Sequence, residues 1–273
     1  MCGGLTLAVA CSPKQVESPL EKAPPAGISE ARDLRAAGDL LGAENAYEKF
    51  IVEHPGTAEA DLARLELGIL EADLERCPRA IPHFEQASDS SDQAIALRAA
   101  IRLASCQLEL GDPERALATL EPVAKERFAP DEQELLWETA LSSSEQTLAA
   151  APALRTLDVL LQHGGPPPDP QRVWATAQSL AGKATIDEAN QLFETLTPGG
   201  IPQAAIAVRL LDEGLAAEDT AAVARAADAL RASEAVALSE VTIAIARADE
   251  FLHGNPYSVG ALLPMTGRGR EVG

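Results

Sequence analysis

Aromatic residues are scarce in this chain of 273 residues, at 3% of the total, although hydrophobic residues make up 46%. A core built on large rings is therefore excluded, and we expect alanine and leucine side chains to pack between helices. The sequence also lacks any run of about 20 consecutive apolar residues, which is the length a membrane-spanning helix requires. We therefore expect no membrane-spanning helix.

Basic residues are too few to balance the acidic ones. The chain has 22 Lys and Arg against 42 Asp and Glu, which gives a formal net charge of −20 at pH 7. This balance argues against nucleic acid as a partner, because phosphates require Lys and Arg. It indicates a basic protein partner, and the alternative is that the charge only keeps the protein soluble.

Motifs of catalysis and metal binding are missing as well. None of the four histidines lies in an HExxH motif or beside a pair of cysteines at metal-ligand spacing. Neither a GxSxG motif nor a phosphate-binding loop occurs. We therefore expect no enzymatic activity, no cofactor and no metal site.

The stretch from Gly38 to Pro55, GDLLGAENAYEKFIVEHP, carries the main pattern of the chain. Its Gly-Asp start predicts a turn between two helices. Ala43, Tyr47 and Phe50 are spaced to lie on one helical face, with the small Ala43 where two helices approach closely. Pro55, twelve residues after Ala43, is expected to end the helix, because it has no N–H to donate.

This pattern recurs with a period of 34 to 37 residues. The small or apolar position falls at Ala43, Ala80, Ala116, Ala153, Ala189 and Val223. Twelve residues before each, on the first helix of the pair, stand Ala31, Gly68, Ala104, Leu141, Ala177 and Leu211. A fixed period in this range is the signature of a helical solenoid. The alternative is an alanine-rich bundle with accidental spacing.

The small, +4, +7 and +12 spacing resembles the second helix of a tetratricopeptide repeat. The resemblance implies an all-α solenoid of about six helix pairs over residues 29–254, whose concave face, lined by the first helices, binds a protein partner. Counting along the repeats places seven residues on that face: Arg32, Arg35, Arg98, Ile101, Glu138, Trp174 and Gln178. Trp174 with Arg98 is a candidate anchoring patch; the alternative is that Trp174 belongs to the core.

Several local features predict irregularities in the solenoid. Ser29 is a loose N-cap for the first helix, and Pro82 and Pro122 are expected inside second helices, where proline causes a kink. Ser142 to Ser144 is predicted to be a turn. Residues 164–170, GGPPPDP, are predicted to be a loop that divides the solenoid, and a last helix is expected from Ser239 to Leu252.

Two cysteines fall within the repeats. Cys77 lies near the turn of the second repeat, and Cys106 lies in the first helix of the third, which is expected to pack against it. A disulfide between them is one hypothesis, which an oxidising compartment would favour. Buried free thiols are the alternative.

The amino-terminal residues 1–11 read MCGGLTLAVAC. The sequence from Ala8 to Cys11 resembles a bacterial lipobox, which implies cleavage before Cys11 and attachment of lipid to that cysteine. Ser12 after the cysteine then favours the outer membrane, and the missing basic leader suggests a start upstream of Met1. Residues 12–28, rich in Pro and charge, are predicted to be a flexible linker. The alternative is a disordered tail with two chance cysteines.

The last residues change pattern. In 255–273, Val259, Ala261 and Leu263 alternate in a short apolar run, which predicts a buried strand. The string VGALLPMTGRGREVG resembles the first strand and loop of a type I periplasmic binding domain of the leucine/isoleucine/valine-binding kind. We interpret it as the truncated start of such a domain. The alternative is a disordered tail.

The order of these parts resembles the penicillin-binding protein activator lipoproteins. This resemblance implies a non-catalytic scaffold on the periplasmic face of the outer membrane, which binds and activates a peptidoglycan synthase. Two alternatives stay open: an amino-acid receptor lipoprotein whose binding domain is missing here, and an outer-membrane assembly lipoprotein.

Overall fold

The computed structural model describes residues 23–254, and this part of the chain contains thirteen α-helices and no strand. The predicted all-α fold of about six helix pairs is confirmed. The helices are α1 (Ala26–Ala36), α2 (Leu40–Glu53), α3 (Ala58–Asp73), α4 (Cys77–Ser88), α5 (Gln93–Glu109), α6 (Pro113–Leu120), α7 (Pro130–Gln146), α8 (Ala150–His163), α9 (Pro170–Lys183), α10 (Ile186–Thr195), α11 (Ile201–Ala216), α12 (Thr220–Arg231) and α13 (Ser239–His253).

The chain divides into two compact units, one ending at Ala99 and the other beginning at Ala100, within α5. In the first unit, α1 packs on α2, α2 on α3 and α3 on α4. In the second, α6 packs on α7, α7 on α8, α8 on α9, and α11 on both α12 and α13. Helices one place further apart also touch, since α7 contacts α9 and α9 contacts α11. This sequential pairing is the arrangement expected of a helix-pair repeat.

The recurring small residues lie where the sequence predicts, at the contacts between helices. All six, from Ala43 to Val223, are 0% exposed. The positions twelve residues earlier, from Ala31 to Leu211, are buried too. Small side chains let two helix backbones approach closely. The sequence repeat therefore corresponds to a helix–helix contact that recurs along the chain. Accidental spacing would not bury every member of both series.

Gly68 shows how tight one of these contacts is. A Cβ added to this glycine on α3 would lie 2.7 Å from Cε1 of Phe84 on α4. The Phe84 ring is completely buried, so any shift of it would disturb the surrounding core. The absence of a side chain at Gly68 therefore sets the distance between α3 and α4.

The predicted turn at Gly38 and Asp39 is confirmed. Gly38 has a φ of +82°, which glycine adopts without strain, and Asp39 also caps α2 by accepting a hydrogen bond from a backbone N–H. Asp112 caps α6 in the same way, and Pro113 is its first residue. The last helix, α13, also begins at Ser239 as predicted.

The first helix begins earlier than predicted. Ser29 lies inside α1, which starts at Ala26, so its assignment as the N-cap is wrong. The extra turn carries Ile28, which is completely buried. Burying an isoleucine side chain contributes about 1.5–3 kcal/mol, which outweighs the missing cap.

Two other expectations about helix ends are wrong. Pro122 does not lie inside a helix, because α6 ends at Leu120, whereas Pro82 is inside α4 as predicted. Ser142 to Ser144 is not a turn, because α7 continues to Gln146 with Ser143 and Ser144 buried. Residues 164–169 of the predicted loop 164–170 lie outside the helices, whereas Pro170 begins α9, and the units divide at Ala99 and Ala100 instead.

Some predictions fall on residues that the structure does not describe. Lipidation of Cys11, the linker up to residue 22 and the strand within 255–273 all lie outside the described residues. Among the helices of residues 23–254, none has both the length and the apolar character needed to cross a membrane.

Candidate functional site

In the first unit, the predicted partner-binding arginines Arg32 and Arg35 lie on α1 and pair with acidic residues of α3. Arg32 donates to both carboxylate oxygens of Glu66, and Arg35 Nη2 lies 2.5 Å from Oδ2 of Asp73. The hydroxyl of Tyr47 also donates to Glu66, at 2.8 Å. These two guanidinium groups therefore link neighbouring first helices of the repeat.

The other five predicted residues divide into two groups. Ile101 and Trp174 are only 1% and 6% exposed and pack in the core of the second unit, so their placement on an open face is wrong. The alternative for Trp174, a core residue, is confirmed. Arg98 and Gln178 are half-buried, and Glu138 is exposed.

Glu138 lies in a groove between α7 and α9 in the second unit, which encloses a cavity of about 450 Å³. The α7 side of this acidic groove is formed by Asp131, Glu134, Leu135, Glu138 and Leu141. The α9 side is formed by Pro168, Asp169 and Arg172. Four carboxylates thus face a single guanidinium.

Both helices begin with proline as their first residue, Pro130 in α7 and Pro170 in α9. Proline suits this position, because its fixed φ matches the helix and its missing N–H has no partner there anyway. Asp169 caps α9 by accepting hydrogen bonds of 3.0 Å from the N–H groups of Gln171 and Arg172. This cap fixes the rim of the groove and positions Arg172 in the first turn of α9.

Arg172 holds α7 and α9 together. Its Nη1 donates to Glu138 Oε2 at 2.6 Å, and its Nε donates to Glu145 Oε1 at 2.7 Å. Its Nη2 donates at 3.0 Å to both Ser142 Oγ and Glu145 Oε2. Thr176 of α9 also donates to Glu145. The guanidinium of Arg172 on α9 therefore contacts side chains of α7 that lie more than one helical turn apart, from Glu138 to Glu145.

The same hydrogen bonds shift the ionisation of these groups. Donation from Arg172, and in second place from Ser142, lowers the pKa of Glu138. Donation from Arg172 likewise lowers the pKa of Glu145, and the two carboxylates together raise the pKa of Arg172. Both carboxylates are therefore charged at neutral pH, and the positive charge of Arg172 is neutralised within the protein.

The groove combines charge with an apolar wall. Leu135 is half-buried beside the exposed Glu134, and Leu141 lies at the base. Such a surface can bind a partner, but the described residues contain no group of three His, Cys, Asp or Glu side chains able to hold a metal ion.

Arg172 is not among the predicted partner-binding residues, although the sequence carries a signal for it. Arg172 is 34 residues after Glu138, and Arg32 is 34 residues before Glu66. Opposite charges one repeat apart on first helices therefore meet in the fold in both units. A search for such pairs at the repeat period would have found both.

The two cysteines of the repeats are both buried, Cys77 at the start of α4 and Cys106 in α5. The two residues belong to different units, and the disulfide between them stays a prediction.

The comparison with known families identifies the first part of this architecture. Residues 27–152 match the family described as the tetratricopeptide repeat-like domain. Residues 27–152 form a tetratricopeptide repeat-like domain. It runs from the start of α1 into α8 and includes the α7 side of the acidic groove, while α9 follows it. A domain of this kind suggests a protein partner. No curated protein matches the chain.

Proposed function

We propose that the protein is a non-catalytic scaffold, anchored by lipid to the periplasmic face of the outer membrane, that binds and activates a peptidoglycan synthase. The observation that carries this proposal is the order of parts: a lipobox-like sequence ending at Cys11, then the tetratricopeptide repeat-like domain, then the strand-like sequence of residues 256–273.

The tetratricopeptide repeat-like domain supports the scaffold. Its helix α7 and the following helix α9 form a groove of about 450 Å³ with charged and apolar walls, the combination that protein interfaces use at their rims and centres. The excess of acidic residues, with a net charge of −20, favours association with a basic partner. No nucleic acid and no cofactor is part of the proposal.

The anchor has a direct test. Acyl chains contribute about 0.8 kcal/mol for each buried CH₂, so several chains on Cys11 hold a protein firmly at a membrane. In a bacterial host that processes lipoproteins, the full chain should sediment with the outer membrane, and the Cys11→Ser variant should move to the soluble periplasmic fraction. If both proteins were distributed equally between the two fractions, Cys11 would not anchor the protein, and this part of the proposal would be wrong.

The partner has a second test. The full chain, immobilised on beads, is incubated with detergent extracts of bacterial envelopes, and the captured proteins are identified by mass spectrometry. We expect a peptidoglycan synthase among them, and we expect its rate of glycan polymerisation to rise when the purified chain is added. Capture without any peptidoglycan synthase, or a synthase whose rate does not change, contradicts the proposal.

The resemblance of residues 259–273 to a periplasmic binding domain favours a second candidate, an amino-acid receptor. Calorimetry of the full-length gene product with leucine, isoleucine and valine distinguishes the two. Tight binding supports the receptor, and an absence of heat together with synthase capture supports the scaffold. Capture of outer-membrane assembly proteins instead would favour the third hypothesis, an assembly lipoprotein.

A further inference from the structure

We infer that the acidic groove between α7 and α9 binds an extended segment of the protein partner in which a basic side chain stands next to an apolar one. This inference rests on the protein partner of the proposed function and adds to it the chemistry of the bound segment and the place where it binds.

The first argument is the charge of the groove. Four carboxylates and one guanidinium line it, which leaves a net charge of −3. The guanidinium belongs to Arg172, whose donors are directed to Glu138, Glu145 and Ser142, so its charge is neutralised internally and does not repel a cation. Glu134 is exposed on the wall of the groove, one helical turn from Glu138. A Lys or Arg side chain complements this site.

The second argument is the apolar wall. Leu135 and Leu141 line the same cavity as the carboxylates, but Leu141 is only 1% exposed, so the half-buried Leu135 provides the accessible apolar surface. Charge alone would attract a cation to many places on a chain with a net charge of −20. A wall that also offers leucine selects a segment with an apolar side chain, against which the methylene stem of a lysine or arginine can pack as well.

The third argument is size. The cavity of about 450 Å³ lies in the range of about 300–1,000 Å³ that is usual for binding sites. Helices α7 and α9 pack on each other directly, and the Arg172 network also links them, so the groove exists before a partner arrives. Binding therefore costs little rearrangement, which favours recognition of a short extended segment.

Fluorescence anisotropy with three labelled peptides tests the inference on the full chain. The probe is Gly-Ser-Lys-Leu-Lys-Ser-Gly, and the two controls replace either both lysines by glutamates or the leucine by serine. We expect saturable binding of the probe that weakens with added salt, no binding of the glutamate peptide, and binding about tenfold weaker for the serine peptide.

Two variants of equal charge change locate the site. Glu134→Lys places a cation in the groove and should weaken binding of the probe about tenfold, because like charges then face each other. Glu121→Lys, at an exposed residue after α6 that does not line the groove, should change it less than about twofold. Circular dichroism establishes that both variants fold.

The inference is overturned if the probe does not bind, if the serine peptide binds as tightly as the probe, or if both lysine variants weaken binding equally. The last two results would show general attraction to an acidic chain. The proposed function fails separately, in the capture experiment. If the full chain captures a synthase and Glu134→Lys captures it equally well, the scaffold stands and the groove is not its binding site.

Discussion

At the scale of single residues, glycine at position 68 determines how closely α3 and α4 approach. The Gly68→Ala variant should unfold more easily by about 1–3 kcal/mol, because its Cβ would lie 2.7 Å from the buried ring of Phe84. Gly182→Ala in α9 is the control, since nothing lies within 4 Å of its Cβ position, and alanine should stabilise that helix by up to about 1 kcal/mol. Urea denaturation measures both. Stabilisation by Gly68→Ala would show that the helices do not touch there.

The carboxylates around Arg172 predict a dependence of stability on pH. Hydrogen bonds from Arg172 lower the folded-state pKa of Glu138 and Glu145 below the ordinary value of 4.5. Their contribution to stability is therefore fully present above about pH 4.5 and is lost as the pH falls through the lowered folded-state values. Because the two side chains are 59% and 41% exposed, solvent screening limits this contribution.

The Arg172→Gln variant measures that contribution. At pH 7 it should be less stable than the unmodified protein by about 0.5–1 kcal/mol, and the difference should shrink as the pH falls below about 4 and at high salt. Arg155→Gln, at an exposed position on α8, is the matched control and should have little effect. A difference that stays constant from pH 7 to pH 3 would mean that Arg172 acts by packing alone.

At the scale of one element, α4 contains a proline in its interior. Pro82 cannot donate a hydrogen bond to the helix, and an interior proline costs about 3 kcal/mol. The exposed position of Pro82 lets alanine fit without a clash, so Pro82→Ala should raise the free energy of unfolding. Pro78→Ala in the first turn should change it little, because N–H groups there have no partner within the helix. A Pro82→Ala variant no more stable than the original would mean that α4 accommodates Pro82 without the expected loss of stability.

At the scale of the whole molecule, the sequence predicts the helix pairs because the residues at the close helix contacts recur at a fixed period. A small residue is favoured where two backbones approach, and five alanines and one valine recur along the chain at these positions and are completely buried. The same logic should have placed Ile101 and Trp174 in the core. Each lies one helical turn before a buried alanine, Ala104 and Ala177, and therefore on the same face.

The acidic groove could not be predicted in this way. It depends on residues of a loop, Pro168 and Asp169, meeting a helix about 34 residues earlier in the chain. A helical period shows which face of a helix is buried, but it does not show how long a loop is or where α7 ends. The turn predicted at Ser142 to Ser144 is wrong for a related reason, since it misplaces the end of α7. Small polar residues are compatible with both a turn and a buried helical face.

The central claim is that the recurring small residues hold the paired helices together, and one pair of variants on α6 tests it most directly. Ala116 is completely buried and Ala118 is exposed, so Ala116→Leu and Ala118→Leu add the same atoms on opposite sides of one helix. Urea denaturation should show Ala116→Leu less stable by about 1–3 kcal/mol and Ala118→Leu unchanged within about 0.5 kcal/mol. Equal stability of the two variants would contradict the account.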